Sequence, residues 1–216
     1  KTGQTNSYLI NTPKGHILVD TGTANQTNKV EKALKKLGYG LESINLIIIT
    51  HAHYDHVGSL KDLKEKSGAS VLVHEKEEYL LKTGKTDFPA GTIFLTKLLA
   101  SAGNSLIPMK FKPVEPEITI RDNYSLQDYG IEGEVIHTPG HTEGSISVFI
   151  DGKDLICGDT FFNISPGSVY PLFANDQTQL LETWQKIDQL NCKTFFPGHG
   201  NIFNSQKFLK TLNRNR

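Results

Sequence analysis

Apolar positions along the chain recur in blocks whose period switches between two and about 3.6, the pattern of alternating strands and helices. Residues 6–11 and 16–20 read as two strands joined by a turn at Thr12-Pro13-Lys14-Gly15. Over residues 25–37, Val30, Ala33, Leu34 and Leu37 share one helical face, and Gly38 stops the helix. The apolar run at 46–50 lacks alternation and reads as a strand buried on both faces. A helix over 59–67 closed by Gly68, a strand at 71–74 and a helix over 75–82 follow. Further on, strands are expected at 117–120, 133–137, 145–150 and 153–157. A helix over 176–190 places Leu180, Leu181, Trp184 and Ile187 on one face. A short strand at 194–196 and a helix over 203–212 close the chain. No internal repeat is present. The order predicts an α/β protein of two stacked sheets with outer helices, one domain over residues 1–216.

Between the two series, residues 83–116 break the pattern. Gly84, Pro89, Gly91, Gly103, Pro108 and Pro113 alternate with Phe88, Phe94, Leu98, Leu99, Leu106, Ile107 and Met109. Such a segment reads either as a lid or pocket wall inserted in the domain, or as a surface excursion that covers the core.

Composition narrows the class. A chain of 216 residues with 37% hydrophobic and 21% charged residues is globular and not disordered. Twenty-three basic and 23 acidic residues cancel, so no overall charge calls for nucleic acid or an anionic membrane. No apolar stretch approaches the ~18 residues of a spanning helix. Two cysteines rule out a disulfide scaffold and a Cys-rich zinc module, and Cys157 reads as a small buried hydrophobe. The chain opens on Lys1 with no charged-then-apolar leader. A cytoplasmic setting is the mild expectation, with room left for a segment ahead of Lys1.

The chemistry sits in the histidines. Thr50-His51-Ala52-His53-Tyr54-Asp55-His56-Val57-Gly58 sets four potential ligands within six residues, directly after an apolar strand. Packing does not explain that density. Imidazole and carboxylate are the donors that suit zinc, and also iron or manganese. In an extended segment residues i and i+2 point the same way, so His51 and His53 can grip one ion. Asp55 and His56 stand where the chain turns helical and could reach a second. Thr138-Pro139-Gly140-His141, Cys157-Gly158-Asp159-Thr160 and Phe196-Pro197-Gly198-His199 each end a predicted strand with one more ligand.

These four motifs, in this order and reaching from Val19-Asp20-Thr21-Gly22 to His199, resemble the metallo-β-lactamase-fold hydrolases. The resemblance implies an αββα sandwich with a two-metal site at one edge of the sheets. It implies that His51, His53 and His141 hold one ion, that Asp55, His56 and His199 hold the other, and that Asp159 bridges them. It also makes Asp20 a hydrogen-bond acceptor for a ligand histidine. The cofactor expected is a pair of divalent ions, zinc first, iron or manganese otherwise. The reaction implied is attack by a metal-bridged hydroxide on an ester, thioester or lactone carbonyl, with Asp55 handling the proton. A phosphodiesterase of the same fold and a non-hydrolytic iron protein are the alternatives. The partner expected is a small-molecule substrate, with neither nucleic acid nor a membrane span.

Departures from family patterns prune the options. His53 stands where the redox diiron members carry Glu, and Asp159 where true β-lactamases typically carry Cys or Ser. Phe162 replaces the Tyr of the quorum-signal lactonases. Gly158-Asp159-Thr160-Phe161-Phe162 is similar to the glyoxalase II pattern. However, Gly58-Ser59 replaces Gly-Gly, and only 16 residues follow Gly200, so glutathione is a poor expectation as acyl carrier. Tyr54, Phe88, Phe94 and Phe162 are the candidates for the substrate pocket, with Leu98, Leu99 and Met109 extending an acyl-chain wall.

Overall fold

The computed structural model describes residues 1–86, 88–98, 100 and 109–215. One sheet has the order β1 (Tyr8–Thr12), β2 (Gly15–Val19), β3 (Ile44–Ile48), β4 (Ser70–His74), β5 (Ile118–Ile120). Its first pair is antiparallel and the rest parallel. The second sheet comprises β6 (Tyr124–Ser125), β7 (Gly133–His137), β8 (Ile146–Ile150), β9 (Asp154–Asn163), β10 (Thr194–Gly200) and β11 (Phe203–Asn204). These lie side by side from β11 to β6, all antiparallel except β9 beside β10.

Strand periodicity sorts the side chains into layers. Ile17, Val19, Leu46, Ile48 and Leu72 face Val135, Ile146, Val148 and Ile156 between the sheets. Their neighbours Leu18, Ile47, Val71 and Val73 point outward, onto Val30 and Leu34 of helix Thr27–Lys36 and onto Leu60 and Leu63 of helix Leu60–Ser67. On the far side Leu155, Cys157 and Phe195 pack on Leu180, Trp184 and Ile187 of helix Gln177–Gln189 and on Phe208 and Leu212 of helix Ser205–Leu212. Each sheet therefore has a helical cover outside and the other sheet inside, which is the four-layer α/β arrangement expected.

Two strands overrun their predicted ends. β9 does not stop at Cys157 but runs on to Asn163, and β10 continues through Pro197-Gly198-His199 to Gly200. Glycine and proline read as punctuation, but here they sit at register shifts between the two strands, where the ladder tolerates them. Gly158 takes φ +47°, a turn of the backbone inside the strand. Asp159 is thus a mid-strand residue rather than a strand end. The two-residue strands β6 and β11 are too short to leave a periodic signal.

In the irregular segment, Thr86 N–H donates to the Met109 carbonyl and Phe111 N–H to that of Gly84. Thr92 N–H donates to the Leu172 carbonyl and Ala174 N–H to that of Ala90. The segment is therefore tied to residues 171–175 of the second half. Leu99, Gly103, Leu106, Ile107 and Pro108 lie outside the described residues.

Candidate metal centre

The leading cluster begins where β3 ends. His51 and His53 follow it outside regular structure, and His53, in extended backbone (φ −76°, ψ 146°), precedes the short helix Tyr54–Val57 that carries Asp55 and His56. His141 arrives on the loop between β7 and β8, Asp159 on β9 and His199 on β10. Three sets of donors converge: His51, His53 and His141; His51, His56 and Asp159; Asp55, His56 and His199. Within each set the donor atoms lie within 4.8 Å of one another. Asp159 joins the halves: its Oδ1 is 3.3 Å from His56 Nε2, and its Oδ2 is 3.3 Å from His199 Nε2 and 3.6 Å from His141 Nε2.

The hydrogen bonds around the cluster decide which nitrogens are bare. Asp20 accepts at Oδ2 from His56 Nδ1 at 2.8 Å, and from the Thr50 hydroxyl at the same distance. A carboxylate only accepts, so His56 Nδ1 carries a proton and Nε2 is the atom it turns to the centre. The Thr50 hydroxyl donates to Asp20, so its oxygen accepts from His51 Nδ1–H at 3.1 Å, which leaves His51 Nε2 bare. The Phe173 carbonyl accepts from His141 Nδ1 at 2.9 Å, which bares His141 Nε2. That atom lies 3.2 Å from His51 Nε2 and 3.0 Å from His53 Nδ1. The His51 and His141 lone pairs aimed at one another at 3.2 Å call for a cation between them. His56 Nε2 and Asp159 Oδ1 are likewise buried without a hydrogen-bond partner. This donor set fits divalent ions of the zinc type.

Electrostatics follow the same geometry. Burial, then His141, lowers His53 to about 3, and burial also holds His51 and His141 below the ordinary imidazole range. Burial would lower His199 too, but the Asp159 carboxylate and hydrogen bonds to Asp159 and Asp55 raise it to about 10. Burial works against Asp159, yet His199 and His56 keep it well below the usual carboxylate range.

A cavity of about 290 Å³ opens onto the cluster. His53, Asp55, His141, Asp159 and His199 form its polar end; Gln4, Tyr54, Phe88, Pro89, Met109, Phe162, Ile164, Leu172 and Phe173 line the rest. Phe94 is not part of it. Its side chain is 85% exposed, and Leu98 is exposed beside it, because the helical turn at 94–98 projects away from the cavity. Phe173 takes the aromatic role instead, edge-on to Phe88 at 5.4 Å. His74 and His137 stack on each other at 4.0 Å, and His16 is buried edge-on to Tyr39. None of these three belongs to the donor sets.

Sequence reasoning missed the supports. The buried Thr5 hydroxyl donates to Asp55 Oδ2 at 2.8 Å. Asn6 donates its side-chain amide to the Pro197 and Gly200 carbonyls, holding the His199 stretch. Glu77 accepts the N–H groups of Ala52 and Gly144. Glu77 shares with Leu81 the buried face of its helix, and an acid on an apolar i, i+4 stripe is the signal that would have found it.

Residues 1–199 match the sequence profile of the metallo-beta-lactamase superfamily. A probable metallo-hydrolase of Methanocaldococcus jannaschii is 33% identical over 207 residues, covering 94% of this chain and 91% of that protein. A hydroxyacylglutathione hydrolase of Pelagibacter ubique is 28% identical over 167 residues, 76% of this chain but 55% of its own length. Among solved structures, the metallo-beta-lactamase GOB-18 from Elizabethkingia meningoseptica superposes with a TM-score of 0.70 at 28% identity, covering 96% of this chain and 82% of that one.

Proposed function

The chain belongs to the metallo-beta-lactamase superfamily, and from that premise we propose that it is a two-metal hydrolase of an ester, thioester or lactone with a neutral, apolar acyl group. In this reading His51, His53 and His141 hold one ion, Asp55, His56 and His199 the other, and Asp159 both. Zinc is the first choice, with iron or manganese behind it. A bound pair of divalent ions supplies a water activated at neutral pH and polarisation of the carbonyl.

The chain's own residues do the rest. Phe88, Met109, Phe162, Leu172 and Phe173 take the acyl group and exclude water from it. Asp55 takes the proton of the attacking water at its carboxylate and returns it to the departing thiol or alcohol. Asp20 keeps His56 in the Nδ1–H tautomer.

The observation that carries the choice of substrate is the cavity wall. Beyond the His/Asp end it is mostly apolar, its polar groups there are the uncharged Gln4 amide and Tyr54 hydroxyl, and no Lys or Arg stands among the described lining residues. A phosphodiester or a β-lactam brings an anionic group that this wall leaves unpaired.

Initial rates of the zinc-loaded protein on an acyl thioester, an acyl lactone, a β-lactam and a phosphodiester test the reading, with Asp159→Ala as control. Turnover of the thioester or lactone, lost in the control, is the expected outcome. Preference for the phosphodiester or the β-lactam would sink it.

A further inference from the structure

One buried carboxylate beside the centre belongs neither to the donor sets nor to the acyl cavity. Glu77, on helix Glu75–Thr83, is 2% exposed. Its Oε2 accepts the Ala52 N–H at 2.8 Å and its Oε1 the Gly144 N–H at 3.2 Å. Ala52 stands between His51 and His53, and Thr142 and Gly144 follow His141 in its loop. We propose that Glu77 is a positioning residue: it brackets the two histidine loops together and preforms the three-histidine half of the centre. The inference rests on the reading that these histidines hold a divalent ion.

The physical need is plain in the geometry. His141 lies 90 residues from His51 and 88 from His53 in the chain, yet its Nε2 comes to 3.0 Å from His53 Nδ1 and to 3.2 Å from His51 Nε2, and the His141 and His51 atoms both present lone pairs. Without a cation that approach is repulsive, so the loops need a hold of their own. A carboxylate with one oxygen on each loop supplies it, and both bonds are charge-assisted. The helix that carries Glu77 is itself fixed. His74, its N-cap, accepts the Lys76 N–H at Nδ1 and donates from Nε2 to the Arg121 carbonyl at 3.0 Å. The other half of the centre has separate supports, Asp20 on His56 and Thr5 on Asp55. Loss of Glu77 should therefore weaken one half and spare the other.

Co²⁺ titration of the metal-stripped protein, read by visible absorption, tests this. The wild type should take two ions; a wild type that takes none overturns the underlying reading, and this inference with it. His199→Ala leaves the three-histidine half to be measured alone, and His141→Ala the other. Glu77→Gln keeps the shape but sets an amide NH₂ against one of the two N–H groups. It should weaken Co²⁺ binding about 10–100-fold in the His199→Ala background and no more than about twofold in the His141→Ala background. No loss in the first background, or equal loss in both, while the wild type still takes two ions, overturns the role of Glu77 alone. If Glu77→Gln does not fold, amide hydrogen exchange of the metal-stripped wild type decides. Slow exchange at both Ala52 and Gly144 is expected, and fast exchange at either overturns the bracket.

Discussion

Asp20 shows how much one residue settles at this centre. It adopts a left-handed backbone (φ 59°), uncommon for a residue with a Cβ, and its carboxylate gathers the Thr50 N–H, the Thr50 hydroxyl and His56. Through these it sets the tautomer of His56 directly and that of His51 by way of Thr50. Asp20→Ala should reduce metal affinity or kcat/KM about 10–100-fold, and a chelator competition assay measures it. Thr5 acts on Asp55 in the same manner. Thr5→Val should lower kcat/KM about tenfold and Thr5→Ser should restore it, because only the hydroxyl matters. Equal activity in all three forms would count against that role. The His and Asp donors of the candidate centre were legible in the sequence because four of them crowd into six residues. Thr5 and Glu77 were not, since each meets its partners across 25 residues or more of chain.

At the scale of elements, the paired strands β9 and β10 build the floor of the centre. Their register slips twice between Phe196 and His199, and the slips bring Asp159 and His199 side by side at the same edge. Gly198 lies between them. A Cβ there would fall 2.3 Å from Asp159 Oδ1 and 2.7 Å from His56 Cε1. Gly198→Ala must therefore displace either the strand or the carboxylate. It should cut kcat/KM about 100-fold with a much smaller change in the thermal midpoint, measured side by side. Most strands and helices were legible from period alone, within a residue or two at their ends. The continuation of β9 and β10 was not, because a glycine that ends a strand and one that bends it look alike until the partner strand is in place.

For the molecule as a whole, two halves meet at the centre, and its stability should report on both. Trp184 joins the second half: it stacks on Phe161 at 4.8 Å and donates from Nε1 to the Thr160 carbonyl at 3.0 Å, next to Asp159. Trp184→Ala should cost about 3–5 kcal/mol in denaturant unfolding. The metal-stripped protein should also show a stability maximum in pH. His53, His51 and His141 are depressed from 6.5, so their contribution is complete above 6.5 and drains as pH falls, for His53 towards about 3. Asp159, also depressed, acts in the same direction at lower pH. His199 is the reverse: raised to about 10, its contribution is complete below 6.5 and is lost as pH climbs towards 10. Thermal midpoints should therefore peak near 6.5 and fall on both sides. Added Zn²⁺ should raise the midpoint and a chelator reverse it. A steady rise from about pH 5 to about pH 9 without a maximum would contradict the assignment of charges.

The sequence by itself determined the succession of strands and helices, the expectation of two stacked sheets with outer helices, and the seven ligand-type residues. Period and density are local properties, written in neighbouring residues. Only the tertiary structure decided which nitrogen His51, His56 and His141 turn to the centre, that Phe173 rather than Phe94 faces the cavity, and that Glu77 bonds to both histidine loops. Those outcomes depend on segments 25 to 90 residues apart meeting to within a hydrogen bond. Packing of the two sheets sets that meeting, and no local pattern in the chain encodes it.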